Sequence, residues 1–215
     1  MNSPRPVSPS KAELASACGR TIRDVLAPGL DVLFCGINPG RYSGATGFHF
    51  AGPGNRFWPA LHAAGFTDRR LRPSEVALLP QFRCGITNLV ARTTARADEL
   101  TGDELRAGQR RLARTVRRYR PGWVAIIGLG AYRVAFGKPD AQVGPQPDTI
   151  AGARVWVLPN TSGLNAHYQL EDFARQFRAL RQAVRGAPVD RPPTPARPSP
   201  TPGSRGRRRG DSRPR

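Results

Sequence analysis

The chain has 215 residues, 39% of them hydrophobic, and carries 34 Lys and Arg against 15 Asp and Glu, a formal net charge of +19. That length buries one sizeable core, the charge argues for a polyanionic partner ahead of a merely solvated basic surface, and no apolar run approaches a membrane span. Three widely spaced cysteines, Cys18, Cys35 and Cys84, exclude a disulfide framework and fit no zinc or iron–sulfur signature.

In chain order, residues 1–20 and 187–215 are poor in large apolar side chains and rich in Pro, Ser and Arg. They cannot recover their ordering entropy by burial, so both are expected as disordered arms around one domain, residues 21–186. The positive charge is not confined to the arms, because it continues in "TDRRLRP" and "GQRRLARTVRRYRP". Only Lys11 and Lys138 are lysines; coding bias is one source of such an arginine excess, yet arginine stays charged and forks onto phosphate whatever its origin. No charged region followed by an apolar stretch opens the sequence, which predicts a cytoplasmic, nucleoid-associated protein.

Four short apolar runs read as buried strands: "DVLFCGI" from Asp31, "CGITNLV" from Cys84, "WVAIIGL" from Trp123 and "RVWVLPN" from Arg154. Helical patterns separate them. One starts near Asn55 in "RFWPALHAAGF"; a second begins at Thr101, where Thr101 and Glu104 have capping-box spacing, and runs to about Tyr119. "GAYRVAF" forms a short third helix, and a last helix carries Leu170, Phe173, Phe177, Leu180 and Val184 on one face.

Strands alternating with helices predict a parallel sheet covered on both sides, with ligands at the carboxyl ends of the strands. There the sequence places "GINPG", "ITNLV", "GLGAYR" and "LPNTSGLNAHY", and three of these carry an asparagine, Asn38, Asn88 and Asn160. A carboxamide offers two donors and an acceptor without charge, which suits the edge of a neutral heterocycle. For Asn38 alone, a tight turn through Pro39 and Gly40 is the plainer reading. "GLGAYR" lacks a dinucleotide fingerprint, since Arg133 stands at the third glycine position, and no cofactor is expected.

"GINPG", followed by "GFHFAGPGNRFW" and much later by "LPNTSGLN", resembles the mismatch-specific uracil-DNA glycosylases, bacterial relatives of thymine-DNA glycosylase in the uracil-DNA glycosylase superfamily. The resemblance runs from about Asp24 to the final helix near Val184. It implies a three-layer α/β/α fold with a mainly parallel central sheet. It also implies a monofunctional DNA repair enzyme, a monomer without metal or cofactor, acting on double-stranded DNA that carries G:U or related mismatches.

What the resemblance implies for residues follows motif by motif. Asn38 stands against the attacking water and Asn160 helps to order the site. Phe50 stacks on the flipped base, backbone donors near Ile37 and Phe50 meet its oxygens, and Asn88 contacts its Watson–Crick edge. Gly40 and Ser43 leave room for ethenocytosine and, weakly, thymine. Leu164 wedges into the gap left by the flipped nucleotide, with Ser162, Gly163 and Asn165 around it meeting the widowed guanine. Three positions depart from the family pattern: Asn88, where some members carry lysine, Thr161 in place of a proline, and Ala166 where some relatives carry arginine. Two rivals stand beside this reading: a uracil-DNA glycosylase of another family with a different substrate range, and a non-catalytic nucleic-acid-binding module working through its arginine-rich tail.

Overall fold

A computed structural model describes residues 8–165 and 168–186. Among these residues five strands form one sheet: β1 (Val32–Gly36), β2 (Cys84–Asn88), β3 (Trp123–Ile127), β4 (Gly144–Ile150) and β5 (Ala153–Leu158), in the order β2-β1-β3-β5-β4. All neighbours are parallel except β4, which runs antiparallel to β5 at the edge. The helices are α1 (Lys11–Ser16), α2 (Arg41–Thr46), α3 (Phe57–Ala63), α4 (Gly102–Tyr119), α5 (Leu129–Phe136) and α6 (Leu170–Gly186). Among the described residues no helix is long and apolar enough to cross a membrane.

The four strands expected from apolar runs are β1, β2, β3 and β5, and their alternation divides the core in two. Val32 and Phe34 of β1 face one layer with Phe57, Leu61, Phe173 and Phe177 of α3 and α6. Leu33 and Cys35 face the other, with Leu105, Leu112 and Val116 of α4 and Tyr132 of α5. The result is the three-layer α/β/α architecture. The Phe34 ring meets Phe57 edge-on at 5.4 Å and stacks with Phe177 at 5.9 Å. On the other face Gly108 lets α4 close onto β2, because a Cβ there would stand 2.4 Å from the Leu89 carbonyl oxygen. The capping box at the start of α4 forms as its spacing predicts, Glu104 N donating to Thr101 Oγ1 at 3.2 Å and Thr101 N to Glu104 Oε2 at 2.9 Å.

Residues 8–20 depart from the expectation of a disordered arm. Ser10 and Glu13 close a capping box on α1, and Ala17 is fully buried. Gly19 N donates to Thr93 O at 2.9 Å, so this six-residue helix is tethered to the domain rather than left to its own weak propensity. Residues 1–7 and 187–215 lie outside the described residues. Further along, Val25 exchanges backbone hydrogen bonds of 2.8 and 2.9 Å with Ile86 and covers the outer edge of β2.

From β1 the chain steps to β2 on one side and returns through α4 to β3 on the other. This reversal opens a crevice at the carboxyl end of β1, where side chains from several loops can converge.

Candidate active site

A cleft of about 440 Å³ lies over that crevice. The eleven positions singled out in the sequence all line it: Ile37, Asn38, Gly40 and Ser43 after β1, Phe50 in the following loop, Asn88 at the end of β2, and Asn160, Ser162, Gly163, Leu164 and Asn165 after β5. The three strand-end asparagines therefore do converge. Ala166 lies outside the described residues.

Asn38 is more than a turn residue. Its Nδ2 donates to Thr94 Oγ1 at 2.7 Å, Arg92 O at 3.1 Å and Pro39 O at 3.2 Å. With the amide nitrogen surrounded by protein acceptors, Oδ1 is left to the cleft as an acceptor. Thr94 and the short 3-10 turn Ala97–Glu99 also line the cleft, a wall that no strand-end rule reveals. Asp98 on that turn is its one acidic lining residue among those described. Arg96 bonds the Asp98 carboxylate at 2.6–3.1 Å and holds it below the usual carboxylate range.

The cleft floor is built where β1 and β2 end in register, Gly36 beside Asn88. A Cβ on Gly36 would fall 2.5 Å from Asn88 Oδ1 and 3.2 Å from Phe50 Cζ, so only glycine lets amide and ring share the strand tip. Phe50 adopts a left-handed backbone (φ 52), a costly conformation for an aromatic residue. One ring face stacks on Phe57 at 4.2 Å, and the residue also borders the cleft. Ser43 Oγ accepts from Ala51 N at 3.1 Å and so helps to hold the Phe50 loop. Gly40 is open: a Cβ there meets nothing within 4 Å. Ile37 tucks its side chain beneath Gly128, where a Cβ would come within 2.7 Å of Ile37 Cδ1.

Asn88 is oriented by a residue the sequence reading did not single out, although it lies inside "GFHFAGPGNRFW". His49 is 1% exposed and its ring is held below the ordinary imidazole range, first by burial. Its Nε2 contacts Arg23 O at 3.0 Å and so donates, which leaves Nδ1 to accept from Asn88 Nδ2 at 3.3 Å. Arg111 of α4 fixes the backbone of the same residue by donating to Asn88 O.

The segment after β5 forms the opposite lip. Asn160 Oδ1 accepts from Ser162 N at 3.0 Å and Asn160 O from Asn165 Nδ2 at 2.8 Å. Leu164 is 80% exposed, which excludes a core role. Thr161 is fully buried, and its hydroxyl finds no partner among the described residues. Burial pushes the Cys84 thiol up to about 12 and raises Cys35 as well, so neither buried thiol supplies a nucleophile.

A model of the Uracil DNA glycosylase superfamily matches residues 23–185 of the chain. Among solved structures, the fold is similar to the solution NMR structure of a candidate uracil DNA glycosylase from Methanosarcina acetivorans. The TM-score is 0.50 at 20% sequence identity, covering 76% of this chain and 98% of that one.

Proposed function

Because the chain belongs to the uracil-DNA glycosylase superfamily, we propose that it is a monofunctional, mismatch-directed member that works in the cytoplasm, at the nucleoid, on uracil opposite guanine in double-stranded DNA. A base inside a duplex is out of reach, so the nucleotide must rotate into the cleft, at the smallest cost where pairing is already poor. Phe50 then offers a ring for stacking, worth roughly 1–3 kcal/mol, and Asn88 a fixed amide for the base edge. Leu164 fills the gap in the stack, with Ser162, Gly163 and Asn165 beside it toward the opposite guanine.

The observation that carries this reading is the Asn38 amide, whose nitrogen is committed to Thr94 and Arg92 and whose carbonyl oxygen remains for a water. An amide is a feeble base. The chemistry therefore rests on placing water in line with the sugar and on donors that favour departure of the base anion. Cleavage of the C1′–N bond gives the free base and an abasic sugar that carries the water oxygen. Neither Lys11 nor Lys138 lines the cleft, which supports hydrolysis over a Schiff-base route with strand cleavage.

The open face at Gly40 favours a cavity that also takes ethenocytosine and, weakly, thymine. The test is incubation with labelled duplexes carrying G:U, A:U, G:T or guanine opposite ethenocytosine, followed by alkali. Breakage at G:U only after alkali is expected; breakage without alkali defeats the monofunctional reading, and equal cleavage of A:U defeats the mismatch preference.

A further inference from the structure

An exposed leucine that must enter a base stack is useful only if its loop is already fixed, and residues 161–165 belong to no helix or strand. Bonds inside the loop are local: Leu164 N reaches Ser162 Oγ at 3.3 Å and Asn165 N reaches Ser162 O at 3.0 Å. A residue from elsewhere in the chain adds a tie to the domain. Arg56, immediately before α3, donates its backbone N to Thr161 O at 2.9 Å. Its guanidinium Nη2 donates to Ser162 O at 2.7 Å and Asn165 O at 2.6 Å, gripping the loop on both sides of Leu164.

The same guanidinium rests over the Phe173 ring of α6 at 5.0 Å, so the core fixes its position. Two residues upstream, Gly54 meets Gly163 backbone to backbone: a Cβ on Gly163 would come 3.1 Å from Gly54 O. Arg56 Nε is buried without a partner among the described residues, a desolvation cost set against the two bonds that Nη2 makes to the lip.

We propose that Arg56 is a positioning residue that clamps the 161–165 loop, so that Leu164 meets the duplex as a preformed wedge. Resting on the glycosylase reading above, this deepens it by separating base extrusion from bond cleavage within one cleft. Holding the loop in advance removes an ordering cost that would otherwise fall on DNA binding. Arginine suits the task because one planar, permanently charged group can serve two carbonyls while stacking on a ring; lysine supplies a point charge without that shape.

The test compares single-turnover uracil release from a G:U duplex and from a single-stranded oligonucleotide, where no stack has to be opened. Arg56→Met should lower the duplex-to-single-strand rate ratio about 10- to 100-fold, the scale of losing charge-assisted bonds, with Arg56→Lys between it and the parent. Leu164→Ala should lower the same ratio, and adding Arg56→Met to it should do little more. An equal fall on both substrates in a protein of unchanged melting temperature overturns the clamp, as does an unchanged ratio. Should Arg56→Met not fold, the ratio in Arg56→Lys decides. If the parent releases no uracil from either substrate, the glycosylase reading fails instead, and hydrogen exchange at residues 162–165 then tests the clamp alone. Faster exchange there in the Arg56 variant supports it; unchanged exchange removes it.

Discussion

Thr94 holds the Asn38 amide from behind: its hydroxyl donates to Arg96 O at 2.6 Å and so can only accept from Asn38 Nδ2, at 2.7 Å. Together with the Arg92 and Pro39 carbonyls, that one-way relay keeps the carboxamide from turning its nitrogen toward the cleft. Thr94→Val keeps the shape and removes the acceptor, so single-turnover cleavage of G:U should fall about 100-fold, the scale of a small misplacement of a reacting group. Thr94→Ser should keep most of the rate, and Asn38→Ala should lose at least as much as the valine variant. A full rate in folded Thr94→Val would show that the amide needs no such support.

Gly40 provides a separate test of substrate range. Since a side chain there projects into open space, Gly40→Tyr should change the melting temperature little, as exposed substitutions usually do within about 0.5 kcal/mol. The ring should nevertheless crowd the cleft and suppress ethenocytosine and thymine release while uracil release persists. Measured rates on the three bases check this, and a uniform loss across all three contradicts it.

Much of this arrangement was legible in the sequence. The central strands β1, β3 and β5, with β2 beside β1, are buried apart from Arg154 and wrote themselves as short apolar runs, interrupted in β2 by Gly85 and Thr87. The amphipathic α4 and α6 did so as helical spacing. The edge strand β4, "GPQPDTI", was not legible, because two prolines and mostly exposed side chains give it neither alternation nor apolar character. Nor was α2, a six-residue helix that Gly44 fits against Thr93. At the site, the asparagines and Leu164 were visible because motifs carry them. The residues that orient them were harder to find. Thr94 acts on Asn38 from 56 positions away, and Arg56 on Asn165 from 109, through contacts that only folding creates.

His49 predicts a pH dependence. Burial holds its folded-state pKa below the ordinary 6.5, outweighing the Arg23 carbonyl and the Asp24 charge. The unfolded chain therefore binds the proton more readily. The neutral ring's contribution to stability is complete above about pH 6.5 and is lost as pH falls from there through the folded value. Melting temperature followed from pH 7.5 to 5 should decline in the parent and less steeply in His49→Gln. Glu75 and Glu104, held at about 2 by Arg69 and Arg92 respectively, act in a lower window, between their ordinary 4.5 and 2. A parent protein with a flat profile between pH 7 and 5 would contradict the assignment to His49.

Thr161 should be improvable. Its buried hydroxyl lacks a partner among the described residues, whereas its carbonyl already serves Arg56 N. Thr161→Val removes the unsatisfied group at constant shape and should stabilise the protein by about 1 kcal/mol, raising the melting temperature by roughly 2–4 °C. Calorimetry reads this directly; a lowered melting temperature would mean that the hydroxyl is satisfied after all.

The margins of the sheet bear on how the protein behaves in a crowded solution. Along one border Val25 already occupies the bonding positions of β2 at Ile86, and along the other β4 carries Pro145 and Pro147, which have no amide hydrogen to offer. A second chain seeking to extend the sheet would find the first border taken at its centre and the second stripped of two donors. Recruitment by strand addition, a common first step toward aggregates, is thereby disfavoured at both ends.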